Sequence, residues 1–155
     1  ELSDASGSRG MVAGQVLDME GEHKQLTLAE LQTIHANKTG RLLAYPFIAA
    51  GLMLELQADI GQLLEKIGKK LGLAFQVRDD ILDLVADFEA LGKTPQKDLV
   101  AEKSTYPALL GLEESKALLT SELDACEDLL DQITSACDFD PQEIKKLIEG
   151  LRIDG

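Results

Sequence analysis

Phe75-Gln76-Val77-Arg78-Asp79-Asp80-Ile81-Leu82-Asp83 sets three carboxylates inside one helical turn, beside an amide and an aromatic ring. The stretch is the C-terminal third of a longer pattern. Ile60, Leu63, Leu64, Ile67, Leu71, Ala74, Phe75, Ile81, Leu82 and Val85 recur at helical spacing. Asp59-Ile60-Gly61-Gln62 reads as the N-terminus, with an Asp cap and Gln at N3. The spacing predicts one long helix to about Asp87, and no alternating β-branched pattern competes with it.

On such a helix Asp79 and Asp83 stack at i,i+4, and Asp80 and Asp83 at i,i+3. Two like charges about 6 Å apart repel by roughly 3 kcal/mol at an effective dielectric near 20. A solvated acidic face is the plain reading of a lone Asp-Asp-x-x-Asp. Two features weigh against it. The cluster lies near a helix C-terminus, where the macrodipole disfavours anions. Apolar Phe75, Val77, Ile81 and Leu82 flank it, as beside a cleft. Gln76 shares the face, and Asp87 extends the stripe by one turn. A hard divalent cation held by carboxylate oxygens is the simplest compensating charge.

Outward from this helix the chain stays helical. Residues 1 to 10 are small and polar, a loop or broken helix. Met11 to Glu20 is a short helix ended by Gly21, with Gln15 and Asp18 at i,i+3. Thr27-Leu28-Ala29-Glu30 is a capping box. The helix it opens carries Leu28, Leu31 and Ile34, and Gly40 and Pro46 predict a bend rather than a stop. Leu42 to Leu56 is apolar nearly all round, which predicts a central helix. Residues 88 to 103, with Gly92 and Pro95, read as an irregular loop. Ser104-Thr105-Tyr106-Pro107 caps a short helix, Glu113 to about Ala136 is acidic and amphipathic, and Asp140-Pro141-Gln142-Glu143 starts a last helix that Gly150 ends. The expected fold is a single all-α domain over residues 1–155.

The totals bound the function. With 155 residues the chain is long enough to bury a real core. Its net charge of −13 excludes a nucleic-acid phosphate backbone as partner, since that demands a basic face. No apolar run is long enough to span a membrane. Cys126 and Cys137 are eleven residues apart, about 16 Å on one helix, too far for a disulfide. Two free thiols fit a reducing cytoplasm. His23 and His35 have no zinc spacing, and there is no P-loop, G-x-G-x-x-G or Ser-His-Asp pattern. Lys38, Lys93 and Lys103 are ordinary surface lysines taken singly. Lys93 and Lys103 nevertheless follow an acid-rich helix end, where a loop can fold over a metal–phosphate site. Gln15 and Asp18 read equally as a hydrogen-bonded buried pair or as pocket residues.

Taken together, Gly14-Gln15-Val16-Leu17-Asp18, Lys38-Thr39-Gly40, Phe75 to Asp83, Gly92-Lys93 and Lys103-Ser104-Thr105-Tyr106-Pro107 resemble, in order and spacing, the trans-polyprenyl diphosphate synthases, and among them the bacterial farnesyl diphosphate synthases (geranyltranstransferases). The resemblance covers about Leu2 to Leu112. It implies an all-α antiparallel bundle of the isoprenoid synthase type, of which this chain is the C-terminal half. It also implies a homodimer of the full enzyme and a Mg²⁺-dependent condensation of an allylic diphosphate with isopentenyl diphosphate. By resemblance Asp79, Asp80 and Asp83 are metal ligands, with Asp79 direct. Lys38 and Lys93 contact the allylic diphosphate, Thr39 and Gln76 lie beside the reacting carbons, and Phe75 lines the isopentenyl side. Lys103 stands near the same cluster.

The family's first aspartate-rich motif and its Gly-Lys-x-x-Arg and Arg-Arg segments have no counterpart here. A prenyltransferase reading therefore requires an N-terminal half in the same or another chain. The alternative is a non-catalytic subunit or diphosphate-binding module of a prenyltransferase. In either case the inner helix faces around Phe75 and Phe47 are expected to be exposed and to need a partner.

Overall fold

The longest element is a 34-residue helix, Ala58–Leu91, with about 50 Å of rise, and the rest of the chain packs along it. The structure, a computed structural model, describes residues 1–22, 24–91 and 104–153. Every regular element among them is helical: α1 (Leu2–Ser6), α2 (Met11–Gly21), α3 (Leu28–His35), a π turn (Ala36–Gly40), α4 (Arg41–Met53), α5 (Ala58–Leu91), α6 (Tyr106–Leu110), α7 (Leu112–Ala136) and α8 (Gln142–Leu151). The all-α expectation holds, and no described helix is long and apolar enough to cross a membrane.

Helix α5 is sandwiched between α7 and α4. Its buried Ile67, Ala74, Val77 and Ile81 meet Leu123, Cys126, Leu130 and Ile133 of α7, with Ile148 of α8 and Tyr106 of α6 closing the core. Both rows follow three-and-four spacing, so each helix presents one apolar stripe to the other. Each large aliphatic side chain so buried contributes about 1.5–3 kcal/mol. On the other side α5 has no room for a side chain at two positions. A Cβ on Gly68 would lie 2.7 Å from Ala44 Cα, and one on Gly72 2.8 Å from Gly40 Cα. Helix α2 closes in the same way, since a Cβ on Gly14 would lie 2.1 Å from the Lys38 backbone nitrogen. Gly72 and Gly14 thus let α5 and α2 clasp the π turn backbone to backbone, and Gly68 admits the first turn of α4 in the same way.

Several expectations hold. Thr27 and Glu30 form the reciprocal capping box, and the Thr105 hydroxyl accepts from the Ala108 amide. Cys126 and Cys137 are free thiols. The bend expected between Gly40 and Pro46 takes a definite form, because α3 runs through the π turn into α4 and Pro46 lies inside α4. Such turns hold one extra residue per turn and mark functional positions.

Other expectations change. The apolar stretch after Leu42 is not the central helix: only Ala44 and Gly51 of α4 are fully buried, while Leu42, Leu43 and Leu52 are exposed. An all-round apolar helix needs cover on every side, and this chain covers one. Helix α5 holds the central place and continues to Leu91, past the expected end at Asp87, because no Gly or Pro intervenes before Gly92. Of the two readings of residues 1 to 10, the broken helix holds: residues 2–6 form one short helix and α2 begins at Met11. The last helix starts one residue later than expected, with Asp140 accepting from the Gln142 amide at 3.0 Å, and ends at Leu151.

Buried His35 lies with its ring centroid 5.5 Å from that of Tyr106. Neither His35 Nδ1 nor the Tyr106 hydroxyl has a hydrogen-bond partner among the described residues. Burial pulls the His35 imidazole down to about 4, with nearby Lys38 adding to the effect and Asp18 opposing it.

The clasp predicts opposite outcomes for two glycines of α5. Gly72→Ala should lower the unfolding free energy by about 1–3 kcal/mol, although alanine is the better helix former. Gly61→Ala, with nothing within 4 Å of the added Cβ, should raise it by up to about 1 kcal/mol. Urea unfolding followed by circular dichroism reads both. His35 supplies a pH test. Its folded value lies below the ordinary one, so its contribution is complete above about 6.5 and is lost as pH falls towards 4. The stability difference between the unaltered chain and His35→Gln should shrink by about 3 kcal/mol over that range, and a flat difference would rule the buried neutral imidazole out.

Candidate functional site

The site begins where the π turn meets α5. A straight α-helix would carry residues 38 and 39 past α5 at a different angle; the widened turn and the bare Gly40–Gly72 contact let Thr39 reach it. The Thr39 hydroxyl donates to Gln76 Oε1 at 3.2 Å. Gln76 Nε2 donates in turn to Asp80 Oδ1, one turn further along α5, at 3.4 Å. The other oxygen, Asp80 Oδ2, accepts from the backbone N–H of Tyr106 at 3.0 Å. The two segments, Lys38-Thr39-Gly40 and Phe75 to Asp83, are thus joined by a continuous run of hydrogen bonds.

The three aspartates are not equivalent. Asp79 and Asp83 are exposed, and neither has a hydrogen-bond or ion-pair partner among the described residues. Asp80 is half-buried with both oxygens engaged. Burial raises its carboxyl to about 6, against the Tyr106 and Gln76 hydrogen bonds and with help from the charges of Asp79 and Asp83. The expectation that all three share one open face is therefore met by two of them, while Asp80 turns towards Gln76 and α6. Asp79 and Asp83 give a divalent cation two hard oxygen donors. Among the described residues no three Asp, Glu, His or Cys side chains converge on one point. An ion here must take its remaining ligands from phosphate oxygens, water or further carboxylates, as Mg²⁺ commonly does.

Lys38 projects from the π turn and forms an ion pair with Asp18 of α2, Nζ to Oδ2 at 2.6 Å. Both side chains are about a third exposed. Gln15 is exposed and is not the buried partner of Asp18; the close approach at Gly14 delivers Asp18 to Lys38 instead. Phe75 is 41% exposed on α5. Met11, Val12, Val16, Leu42 and Leu82 are exposed as well; the expected exposure holds at Phe75 but not at Phe47, which is partly buried against the core formed with α5. Lys93 and Lys103 lie outside the described residues. A cavity of about 860 Å³ between α1, the α3–α4 segment and α5 is lined by Asn37, Arg41, Lys69 and Leu73, and by none of Lys38, Thr39, Gln76 or the aspartates.

Two positions gain a meaning that spacing alone did not give. Ser104 accepts from the Leu26 amide at 3.1 Å and donates to the Lys24 carbonyl at 3.2 Å, tying the start of α6 to the α2–α3 connection. Tyr106 is wholly buried and places its backbone N–H on Asp80. In the sequence both residues carry only the signal of a helix cap. A backbone donor has no sequence signature of its own.

The chain can be compared with known proteins on this footing. The family model for polyprenyl synthetases matches residues 4–149. Farnesyl diphosphate synthase of Micrococcus luteus is 52% identical over 129 residues, which is 83% of this chain and 44% of that protein. Farnesyl diphosphate synthase of Bacillus subtilis (strain 168) is 42% identical over 130 residues, 84% and 44% of the two chains. Among solved structures, a putative farnesyl-diphosphate synthase from Marinomonas sp. MED121 superposes with a TM-score of 0.78 at 30% identity, over 96% of this chain and 48% of that one. A geranyltransferase from Helicobacter pylori, in a structure described as complexed with magnesium and isoprenyl diphosphate, gives 0.73 at 30% identity over 97% and 48%. The chain spans about half the length of the curated relatives it matches. With the family model covering nearly all of it and the helical fold shared, this chain belongs to the polyprenyl synthetase family.

Proposed function

We propose that residues 1–155 are the C-terminal part of a short-chain polyprenyl diphosphate synthase. The reaction is the Mg²⁺-dependent, head-to-tail joining of an allylic diphosphate (dimethylallyl or geranyl) to isopentenyl diphosphate. The product is farnesyl diphosphate or one of similar length. The observation that carries this reading is the Thr39–Gln76 hydrogen bond, which links the Lys38-Thr39-Gly40 segment to the turn of α5 that carries Asp79, Asp80 and Asp83. An N-terminal half supplies the facing diphosphate ligands, and the full enzyme is a cytoplasmic homodimer.

The residue types suit that chemistry. Diphosphate departs as a concentrated anion, and Lys38, steadied by Asp18, offers it a compact positive charge. Asp79, with Asp83 beside it, would hold the metal, and magnesium when bound neutralises charge on the departing oxygens. Lys93 and Lys103, on the segment after α5, add positive charge to the same anion. Thr39 and Gln76 present dipoles to an allylic cation, which needs negative dipole ends and a dry wall rather than a nucleophile. Phe75 and its apolar neighbours supply that wall on the isopentenyl side. The magnesium and isoprenyl diphosphate named for the Helicobacter pylori geranyltransferase structure support the choice of ligands.

The test is condensation of geranyl and isopentenyl diphosphates by this chain joined with the N-terminal half of a family member. Activity should require both parts and be abolished by EDTA. Asp79→Ala should lower turnover by about 10²-fold or more, with the helical circular dichroism unchanged. Near-normal turnover of Asp79→Ala would remove Asp79 from the metal role. An assembly that binds the diphosphates without joining them would point to a non-catalytic binding subunit.

A further inference from the structure

The three aspartates of α5 differ in what their oxygens already do, and that difference divides their labour. Asp79 and Asp83 are exposed and unpartnered among the described residues, whereas Asp80 is half-buried and spans two elements. One of its oxygens takes the Tyr106 backbone N–H, a donor whose position is fixed by the wholly buried Tyr106 ring. The other takes the Gln76 amide. A carboxylate only accepts hydrogen bonds, so the Gln76 group facing it must be the NH₂. The Gln76 carbonyl is thereby turned to the opposite side, where the Thr39 hydroxyl donates to it. A hydroxyl has one proton. With that proton on Gln76, Thr39 keeps only lone pairs for the open side of the site.

We propose that Asp80 is a positioning residue and not a magnesium ligand: anchored by the Tyr106 N–H, it sets the Gln76 amide and through it directs the Thr39 oxygen as an acceptor into the site. The polarity then runs one way along the chain, from carboxylate to amide to hydroxyl, and each bond polarises the next. Without Asp80 the Gln76 amide is free to flip. Its NH₂ would then face Thr39, and the hydroxyl proton would be released towards the space where positive charge develops. The proposal rests on the function proposed above for the catalytic role of Thr39. The hydrogen-bond order itself can be tested without that function.

The first experiment is NMR of the 155-residue chain with Mn²⁺ as a paramagnetic probe. The Gln76 side-chain amide should be resolved in the unaltered chain. It should move towards the position of a free amide in Asp80→Asn, which can satisfy only one of its two donors, and should stay in place in Asp79→Asn. Thr39→Val should also shift it, giving a second variant that leaves Asp80 untouched. Mn²⁺ broadening around residues 79–83 should weaken at least 10-fold in concentration dependence with Asp79→Asn and less than 3-fold with Asp80→Asn. An unmoved Gln76 amide in Asp80→Asn, or a loss of Mn²⁺ response equal to that of Asp79→Asn, overturns the proposal. Absence of any Mn²⁺ response in the unaltered chain would instead count against the metal role in the proposed function, and the Gln76 signal would still decide the order of the hydrogen bonds. In the assembled enzyme, Asp80→Asn and Thr39→Val should each lower kcat about 10-fold with little change in KM. The double variant should be no slower than the worse single one, because both break one relay. Multiplying effects would overturn it.

Discussion

Everything in this chain depends on how closely backbone can approach backbone at the π turn. Gly72 and Gly68 of α5, and Gly14 of α2, leave no side chain between themselves and residues 38–44. At that range the ordinary jigsaw of side chains is replaced by main-chain contact, which has little give. The Lys38–Asp18 ion pair and the Thr39–Gln76 hydrogen bond follow directly. Neither Asp18 nor Thr39 is long, and each reaches its partner only because the helices are brought together first.

The opposite side of α5 is conventional. Ile67, Ala74, Val77 and Ile81 interlock with Leu123, Cys126, Leu130 and Ile133 in a dry seam. Cys126 behaves there as a small apolar side chain, with burial pushing its thiol up to about 12. One helix therefore does two jobs on two faces. The α7 side fixes α5 in place by apolar area, and the α4 side carries the glycines of the close approach together with Gln76. The buried seam behind the polar relay holds the helix that carries it.

Much of this was legible in the residues. Three-and-four spacing gave α5 and α7, the Thr27–Glu30 box gave the start of α3, and Asp79, Asp80 and Asp83 stood out by unfavourable charge crowding alone. The resemblance joined these to Lys38, Thr39 and Gln76, and the family match agrees with it. What could not be read has physical reasons. The apolar content of α4 was legible but its exposure was not, because hydrophobicity records a need for cover and not whether the chain provides it. The distinct setting of Asp80 depends on a main-chain N–H at Tyr106, and every non-proline residue has one. Asp18 met Lys38 rather than Gln15 because the pairing crosses two helices whose separation is set by Gly14.

The π turn has a consequence for how this sequence can vary. Its extra residue shifts the phase between α3 and α4, so each helix keeps its own face towards α5 although the two are continuous. One residue corresponds to about 100° of rotation. Deleting a single position between 36 and 40 would restore an unbroken α-helical phase, turning Ala44 off Gly68 and carrying Thr39 away from Gln76. The length of this five-residue segment therefore sets the geometry of the site as directly as any side chain in it.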